Sequence, residues 1–363
     1  MKWYSFILSF CLFSTVACGQ QAVFVKAVSD VYNGQKSIYD TRQRDMYMHE
    51  RKKGCGVCAR IAQMLCNEVV EVSEKRGDVV CIVVPQFFYV HNGESYNKFW
   101  THKNNIKLFS DLSTNQRKSV PRPIDFNDPE SVSQKNIITL CKPWYDRRTG
   151  ETYSVGTRFV SDHVRDTRNE YGIVLVDFSR NRIINSRIPK SACCKNYSTH
   201  KECRKEFITL LRSVASQVIP KERTNKNFID KKVPYVWGGM SFVAPYKGSI
   251  SLKPCVYGSK KYMCWFSDKK QCINGFDCSG LVLRYAQMAG IPYFYRNTTT
   301  FAERLWTLKK DENLQIGDLI WTPGHVMVVA DLKKNTLIES TTYENACNSV
   351  REVPLDEKFD GVR

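Results

Sequence analysis

Beyond its N-terminus the chain has no uncharged apolar run of 18 or more residues, which excludes a polytopic helical membrane protein. No exact repeat and no low-complexity tract is present. One Cys-x-x-Cys, Cys55 and Cys58, stands alone. With no second such pair and no His pair at finger spacing, a disulfide or free thiols are expected there and no metal. No nucleic-acid module is recognisable and the Lys and Arg residues are scattered, so no nucleic-acid partner is expected. Acidic residues are in deficit: 36 Asp and Glu against 54 Lys and Arg leave a formal charge of +18. That balance suits a solvated basic surface or attraction to an anionic cell-wall polymer. Apolar material is not lacking, at 42% hydrophobic and 12% aromatic residues, so global disorder is excluded. At 363 residues, two or three domains are expected.

Cysteine is abundant, with 15 in all. Together with the N-terminus it points to export. Lys2 gives a short positive region, residues 3–16 are apolar, and small residues Ala17 and Gly19 follow, as signal cleavage requires. Residues 1–19 are therefore expected to be a signal peptide. Thr15-Val16-Ala17-Cys18 is also close to a lipoprotein signal, so Cys18 is a candidate lipid acceptor and the one expected link to a membrane. The expected location is secreted, periplasmic or cell envelope, as a monomer. Without Cys11, Cys18 and one nucleophile, 12 cysteines remain, enough for at most six disulfides. Their pairing is not legible. Cys66 and Cys81 lie in strand-like runs and also fit buried thiols.

Short β-branched runs separated by turn residues mark residues 22–115 as all-β. Residues 115–136, rich in Pro, Ser, Asp and Asn, read as a linker. Further strands are expected at 155–160, 173–178 and 182–188. Two successive small β units suggest two small barrels, at 22–115 and 116–200. From residue 201 the pattern changes. Phe207, Leu210, Leu211, Val214 and Val218 fall at helical spacing, and Pro220 closes that helix. A second helix is expected over 278–289, with Gly290 as its C-terminal cap. Strands follow at 318–321, 325–330 and 336–340. Arg363 follows no evident stop to the fold, which leaves open a missing last strand.

The chemistry concentrates in Gly275-Phe276-Asp277-Cys278-Ser279-Gly280. Asp277 is a good N-cap, which sets Cys278 in a first helical turn, where unpaired amides and the helix dipole favour a thiolate. His325 opens a strand after Thr322-Pro323-Gly324. If residue 330 pairs with 336 or 334 in the following hairpin, Glu339 lies diagonally or directly opposite His325. The expected relay is a Cys278 nucleophile, a His325 acid and base, and an orienting Glu339.

These segments, with Tyr235-Val-Trp-Gly-Gly and Leu314-Gln-Ile-Gly-Asp-Leu, resemble the NlpC-type cell-wall cysteine peptidases over about residues 230–340. The layout resembles their three-domain members. That implies an α+β chain: a papain-like catalytic domain at 201–363, preceded by two small all-β SH3-like barrels. It also implies γ-D-glutamyl-L-diamino acid endopeptidase activity on peptidoglycan stem peptides or muropeptides, releasing L-Ala-D-Glu without a cofactor. By motif, Tyr235 would lie near the nucleophile, and Asp277 and Ser279 would hold the substrate's free amino terminus. Arg296-Asn297-Thr298 matches an Arg-Asp-Ser segment, so Thr298 would stand in for a Ser of that pocket.

Three departures stand out. Glu339 occupies the position of a commoner His. Residues 243–274 form an insertion carrying Cys255, Cys264 and Cys272. Cys66 falls where relatives often place an aromatic residue, which weakens a strict free-amine requirement. Two alternatives remain at this stage: a wall-binding protein with a lapsed active site, and a papain-like amidase or acyltransferase with another acyl substrate.

Overall fold

The computed structural model describes residues 19–34, 48–51, 54–57, 60–91, 93–195, 197, 199–217, 233–243, 250–257, 260–267, 274–309, 311–341 and 349–359. Residues 1–18, with Cys18, and much of the 243–274 insertion lie outside these.

In the first β unit the principal strands are β1 (Gln20–Phe24), β2 (Val28–Tyr32), β3 (Arg60–Leu65), β4 (Val69–Arg76), β5 (Val79–Val83), β6 (Phe88–His91), β7 (Lys98–His102) and β8 (Ile106–Leu108). Alternation sorts the faces: in β4, Val70 and Val72 point inward while Glu71 and Ser73 point out. Seven of these strands form one antiparallel sheet in the order β8-β1-β4-β5-β7-β2-β3. The expected closed barrel is not what forms. Edge strands β8 and β3 are not paired with each other, and the sheet stays open among the described residues. The sequence of β3 explains its edge: all six residues are buried although two are Arg60 and Gln63. Its outer side is covered by the C-terminal unit, where Met240 N and Ser241 Oγ donate to Gln63 Oε1 at 3.2 and 2.7 Å. Polar groups along this edge are thus satisfied across the junction rather than by a closing strand.

The second unit is a four-stranded antiparallel sheet, β9 (Ile137–Thr139), β10 (Arg158–Ser161), β11 (Glu170–Asp177) and β12 (Arg182–Pro189), in sequence order and also open. Leu140, Phe159, Ile173, Leu175 and Ile188 fill its core, joined by Cys66 from the first unit.

The C-terminal unit is α+β. Helix α1 (His200–Ala215) is capped by Thr199 and buries Cys203, Phe207, Ile208, Leu210, Leu211 and Val214. Val218, the last residue of the expected stripe, lies outside the described residues. Helix α2 (Cys278–Met288) is buried along its whole length, and Gly290 behind it takes φ +77. Short strand β13 (Tyr295–Arg296) and helix α3 (Thr298–Arg304) follow. Strands β14 (Leu319–Thr322), β15 (His325–Asp331), β16 (Thr336–Thr341) and β17 (Ser349–Pro354) form the last sheet, in that order. Strand β17 has no counterpart in the sequence reading. One face of the sheet, with Val326, Val328 and Ile338, packs against Leu281, Val282 and Tyr285 of α2. The other, with Met327, Val329 and Leu337, is covered by Leu314, Leu355 and Phe359.

Candidate active site

Helix α2 begins against a close backbone approach. A Cβ placed on Gly280 would lie 2.0 Å from the carbonyl oxygen of Gly239, so only glycine admits this approach. Gly238 supports it with φ +69, which turns the Tyr235-Val-Trp-Gly-Gly segment under the helix start. Val236 N bonds Phe276 O, Phe276 N bonds Pro234 O, and Tyr235 forms a parallel bridge with Phe276. Tyr235 is thereby held beside the strand that delivers Asp277 and Cys278. Asp277 caps α2 by accepting from Gly280 N at 2.6 Å. Cys278 is the first helical residue and is 7% exposed.

The hairpin β14–β15 turns at Pro323-Gly324 and pairs Thr322 with His325. Between β15 and β16, Val328 pairs with Ile338 and Val329 with Leu337. Continued along the strands, this register sets Glu339 opposite Met327 and diagonal to His325, the first of the two expected arrangements. His325 Nε2 meets Glu339 Oε2 at 2.8 Å. The ring is also hydrogen-bonded to Cys278. With Nε2 on the carboxylate, Nδ1 is the nitrogen left for the sulfur. Burial works against the imidazolium, but hydrogen bonds and charges from Cys278 and Glu339 outweigh it and raise His325 from 6.5 to about 9. Burial likewise opposes the Glu339 carboxylate. Hydrogen bonds from His325 and Lys358 prevail and lower it to about 2.

Two partners of Glu339 escaped the sequence reading. Arg351, directly across from Glu339 on β17, donates to Oε1 from Nε at 2.9 Å and NH2 at 2.8 Å. Lys358 Nζ reaches the same oxygen at 2.8 Å. Both follow the last motif, in a segment with no recognisable pattern.

The expected amine pocket takes another form. Asp277 and Ser279 do not stand open as the resemblance implies. Asp277 Oδ1 accepts from Arg296 NH1 at 2.9 Å and Ser279 Oγ at 3.0 Å, besides the cap. Its Oδ2 accepts from Arg296 NH2 at 2.5 Å and Gly238 N at 2.9 Å. Arg296 NH1 also bonds Ser279 Oγ. This is a bidentate ion pair at 2% exposure of the arginine, and it uses the carboxylate fully. Burial disfavours the Arg296 cation, but Asp277 and the nearby Cys278 raise its pKa. Arg296 stood in the quoted Arg-Asn-Thr segment without a role. Its ion pair follows from a parallel pairing of β13 with β6 of the first unit, a contact invisible in local sequence.

Thr298 stands apart from this cluster. It opens α3, and its carbonyl accepts from Trp321 Nε1 at 2.8 Å. The buried hydroxyl nearby belongs to Thr300, which donates to Arg296 O at 2.9 Å. Cys66 lines no open cleft: it is 4% exposed in the core of the second unit, and burial pushes its thiol up to about 12. Among the described residues no group of three or more His, Cys, Asp or Glu is arranged to hold a metal ion. Cys66, Cys81, Cys141, Cys193, Cys194, Cys203 and Cys278 are free thiols.

Comparison with known proteins agrees with the motifs. The model of the NlpC/P60 family matches residues 232–363. No curated protein matches the chain. Among solved structures, an NlpC/P60 family protein from Bacillus cereus is similar at TM-score 0.56 and 14% identity, over 94% of this chain and 95% of that one. That likeness is one of fold, and it spans the β units as well as the C-terminal unit. NlpC2 and NlpC1 from Trichomonas vaginalis align at TM-scores 0.32 and 0.31, each at 9% identity. They cover 94% and 96% of this chain, and 95% and 91% of their own.

Proposed function

From a chain that carries an NlpC/P60-family domain at residues 232–363, we propose an exported cysteine peptidase that cuts the γ-D-glutamyl–diamino acid bond of peptidoglycan stem peptides. The observation that supports this most is the buried Cys278–His325–Glu339 chain, with His325 Nε2 held 2.8 Å from Glu339. Cys278 sulfur attacks the D-Glu γ-carbonyl. His325 gives its proton to the departing amine of the diamino acid. It then takes a proton from the water that hydrolyses the thioester. Glu339 fixes the ring and its charge. The first-turn amide of Cys278 and the Tyr235 hydroxyl would receive the developing oxyanion.

The neutral Asp277–Arg296 pair bears on which stem peptides are taken. An ammonium would need an uncommitted anion, and Asp277 has given every position to Arg296, Ser279 and two amides. Asn297, at the neighbouring position, is uncharged and spends its side chain on Val90 O and Thr300. The substrate therefore includes stem peptides whose L-Ala is still acylated by the glycan. The basic surface, at +18, would hold the enzyme on an anionic wall.

Free and N-acetylated L-Ala-γ-D-Glu-meso-diaminopimelate, followed by mass spectrometry, test this reading. Cleavage of both at rates within a few-fold is expected. Cleavage of the free peptide alone would refute acceptance of capped stems and leave the peptidase standing. Cleavage of neither by folded protein would refute the peptidase.

A further inference from the structure

Three cysteines at one end of the second β unit play no part in the proposed chemistry: Cys141, Cys193 and Cys194. Residues 139–141 and 192–194 run antiparallel. Leu140 pairs with Cys193, Cys194 N donates to Thr139 O at 2.8 Å, and Cys141 N donates to Ala192 O at 2.8 Å. Alternation sorts the thiols by face. Cys193 shares its side with Leu140, and both are buried in the core of the second unit. Cys141 and Cys194 are diagonal neighbours on the opposite side, where both pack against the core containing α1 and α2.

On that side the two sulfurs are hydrogen-bonded to each other. The bond makes them unequal. Donation from Cys194 lowers Cys141 against the effect of burial, and the Lys142 charge assists. The same bond, then burial, pushes Cys194 well above the ordinary thiol range. Cys141 is therefore the readier thiolate and Cys194 the thiol that waits beside it. Tyr285 of α2 is buried close enough to feel both sulfurs, so the pair lies beneath the middle of the helix that starts with Cys278.

We propose that Cys141 and Cys194 form a disulfide by thiol–disulfide exchange with a small-molecule or protein disulfide, and that this bond ties the second β unit to the lead-in of α1. The Cys141 thiolate attacks one sulfur of the oxidant, forms a mixed disulfide, and releases one thiolate. Cys194 loses its proton and attacks the Cys141 sulfur of the mixed disulfide. The second oxidant thiolate leaves, and the Cys141–Cys194 bond remains. The oxidant is reduced by two electrons to two thiols, and the two protein protons pass to them. Oxidising compartments supply such disulfides, so the bond fits an exported chain.

The test uses the reduced, folded full chain incubated with oxidised glutathione, alkylated, and mapped without reduction. Wild type and Cys193→Ala are expected to yield a Cys141–Cys194 linked peptide and to lose alkylation at both of these cysteines. Cys194→Ala is expected to stop with one glutathione on Cys141. The oxidised wild type should melt several degrees higher than the reduced form, a shift absent from Cys194→Ala. A linked peptide lost in Cys193→Ala, or Cys141 and Cys194 both still alkylatable in wild type, would overturn the pairing.

Discussion

One buried carboxylate, Glu339, meets three cationic side chains: His325, Arg351 and Lys358. Burial opposes the Glu339 carboxylate, but these partners, His325 and Lys358 foremost, hold it well below the ordinary carboxylate range. This fixes the sign of the pH dependence. Glu339 falls from 4.5 to about 2 on folding, so its contribution to stability is present above 4.5 and lost as pH falls through about 2. His325 rises from 6.5 to about 9, so its contribution is full below 6.5 and lost as pH rises through about 9. Melting temperature measured against pH should therefore show the relay's support at full strength between about 4.5 and 6.5. Activity should fall on an alkaline limb near 9. Glu339→Gln should lower kcat/KM by roughly 10²- to 10⁴-fold, in the range of a lost orienting group, and move that limb toward lower pH. A pH–rate profile of Glu339→Gln superimposable on wild type would place the orienting role elsewhere.

At the scale of elements, α2 is held at its start by backbone contact and along its side by charge. Arg284 on α2 gives NH1 to Glu68 at 2.6 Å, Nε to Met240 O at 3.1 Å and NH2 to Gln63 O at 3.4 Å. Glu68 and Gln63 belong to the first β unit, so the helix that carries the nucleophile is braced by residues more than 200 positions away. Glu68→Ala would leave Arg284 charged, buried and unpaired, a loss of about 3–5 kcal/mol. Urea denaturation should read that loss, and a paired Glu68→Leu/Arg284→Met variant should recover much of it. Recovery failing entirely would point to Arg284's backbone acceptors as the main anchor. The helix itself was plain in the sequence because Asp277, the apolar stripe and Gly290 are local signals. So were β15 and β16, whose alternation put Glu339 on the side of His325 but left the diagonal and the directly opposite placings both open until the strand register decided for the diagonal one. Strand β17 was not legible: Ser349–Pro354 has only three buried residues, and its pairing with β16 is what orders it. Arg296 and Arg351 were missed for the same reason, since both reach the site through long-range strand pairing.

In the whole molecule, the two β units work as a base for the C-terminal unit rather than as separate closed barrels. Arg60 NH1 donates to Trp237 O at 3.2 Å, Phe242 N to Ser154 Oγ at 3.0 Å, and Gln287 Nε2 to Gln86 O at 2.9 Å. Polar edges of the first sheet and the turn at 154–156 thus end on the segments that frame Cys278. A sequence shows short strands but not what their edges meet, which is why barrel closure was expected and open sheets are found. The same junction predicts that the C-terminal unit alone, from residue 201, would expose Arg284 and the 236–242 segment. It should be less soluble or melt well below the full chain in a thermal-shift comparison.

The most direct test of the account is mass spectrometry of L-Ala-γ-D-Glu-meso-diaminopimelate incubated with reduced wild type and with Cys278→Ala. Release of L-Ala-D-Glu by wild type, and none by a folded Cys278→Ala protein, is the predicted result. Equal release by the two proteins, or none by folded wild type, would contradict a Cys278 peptidase.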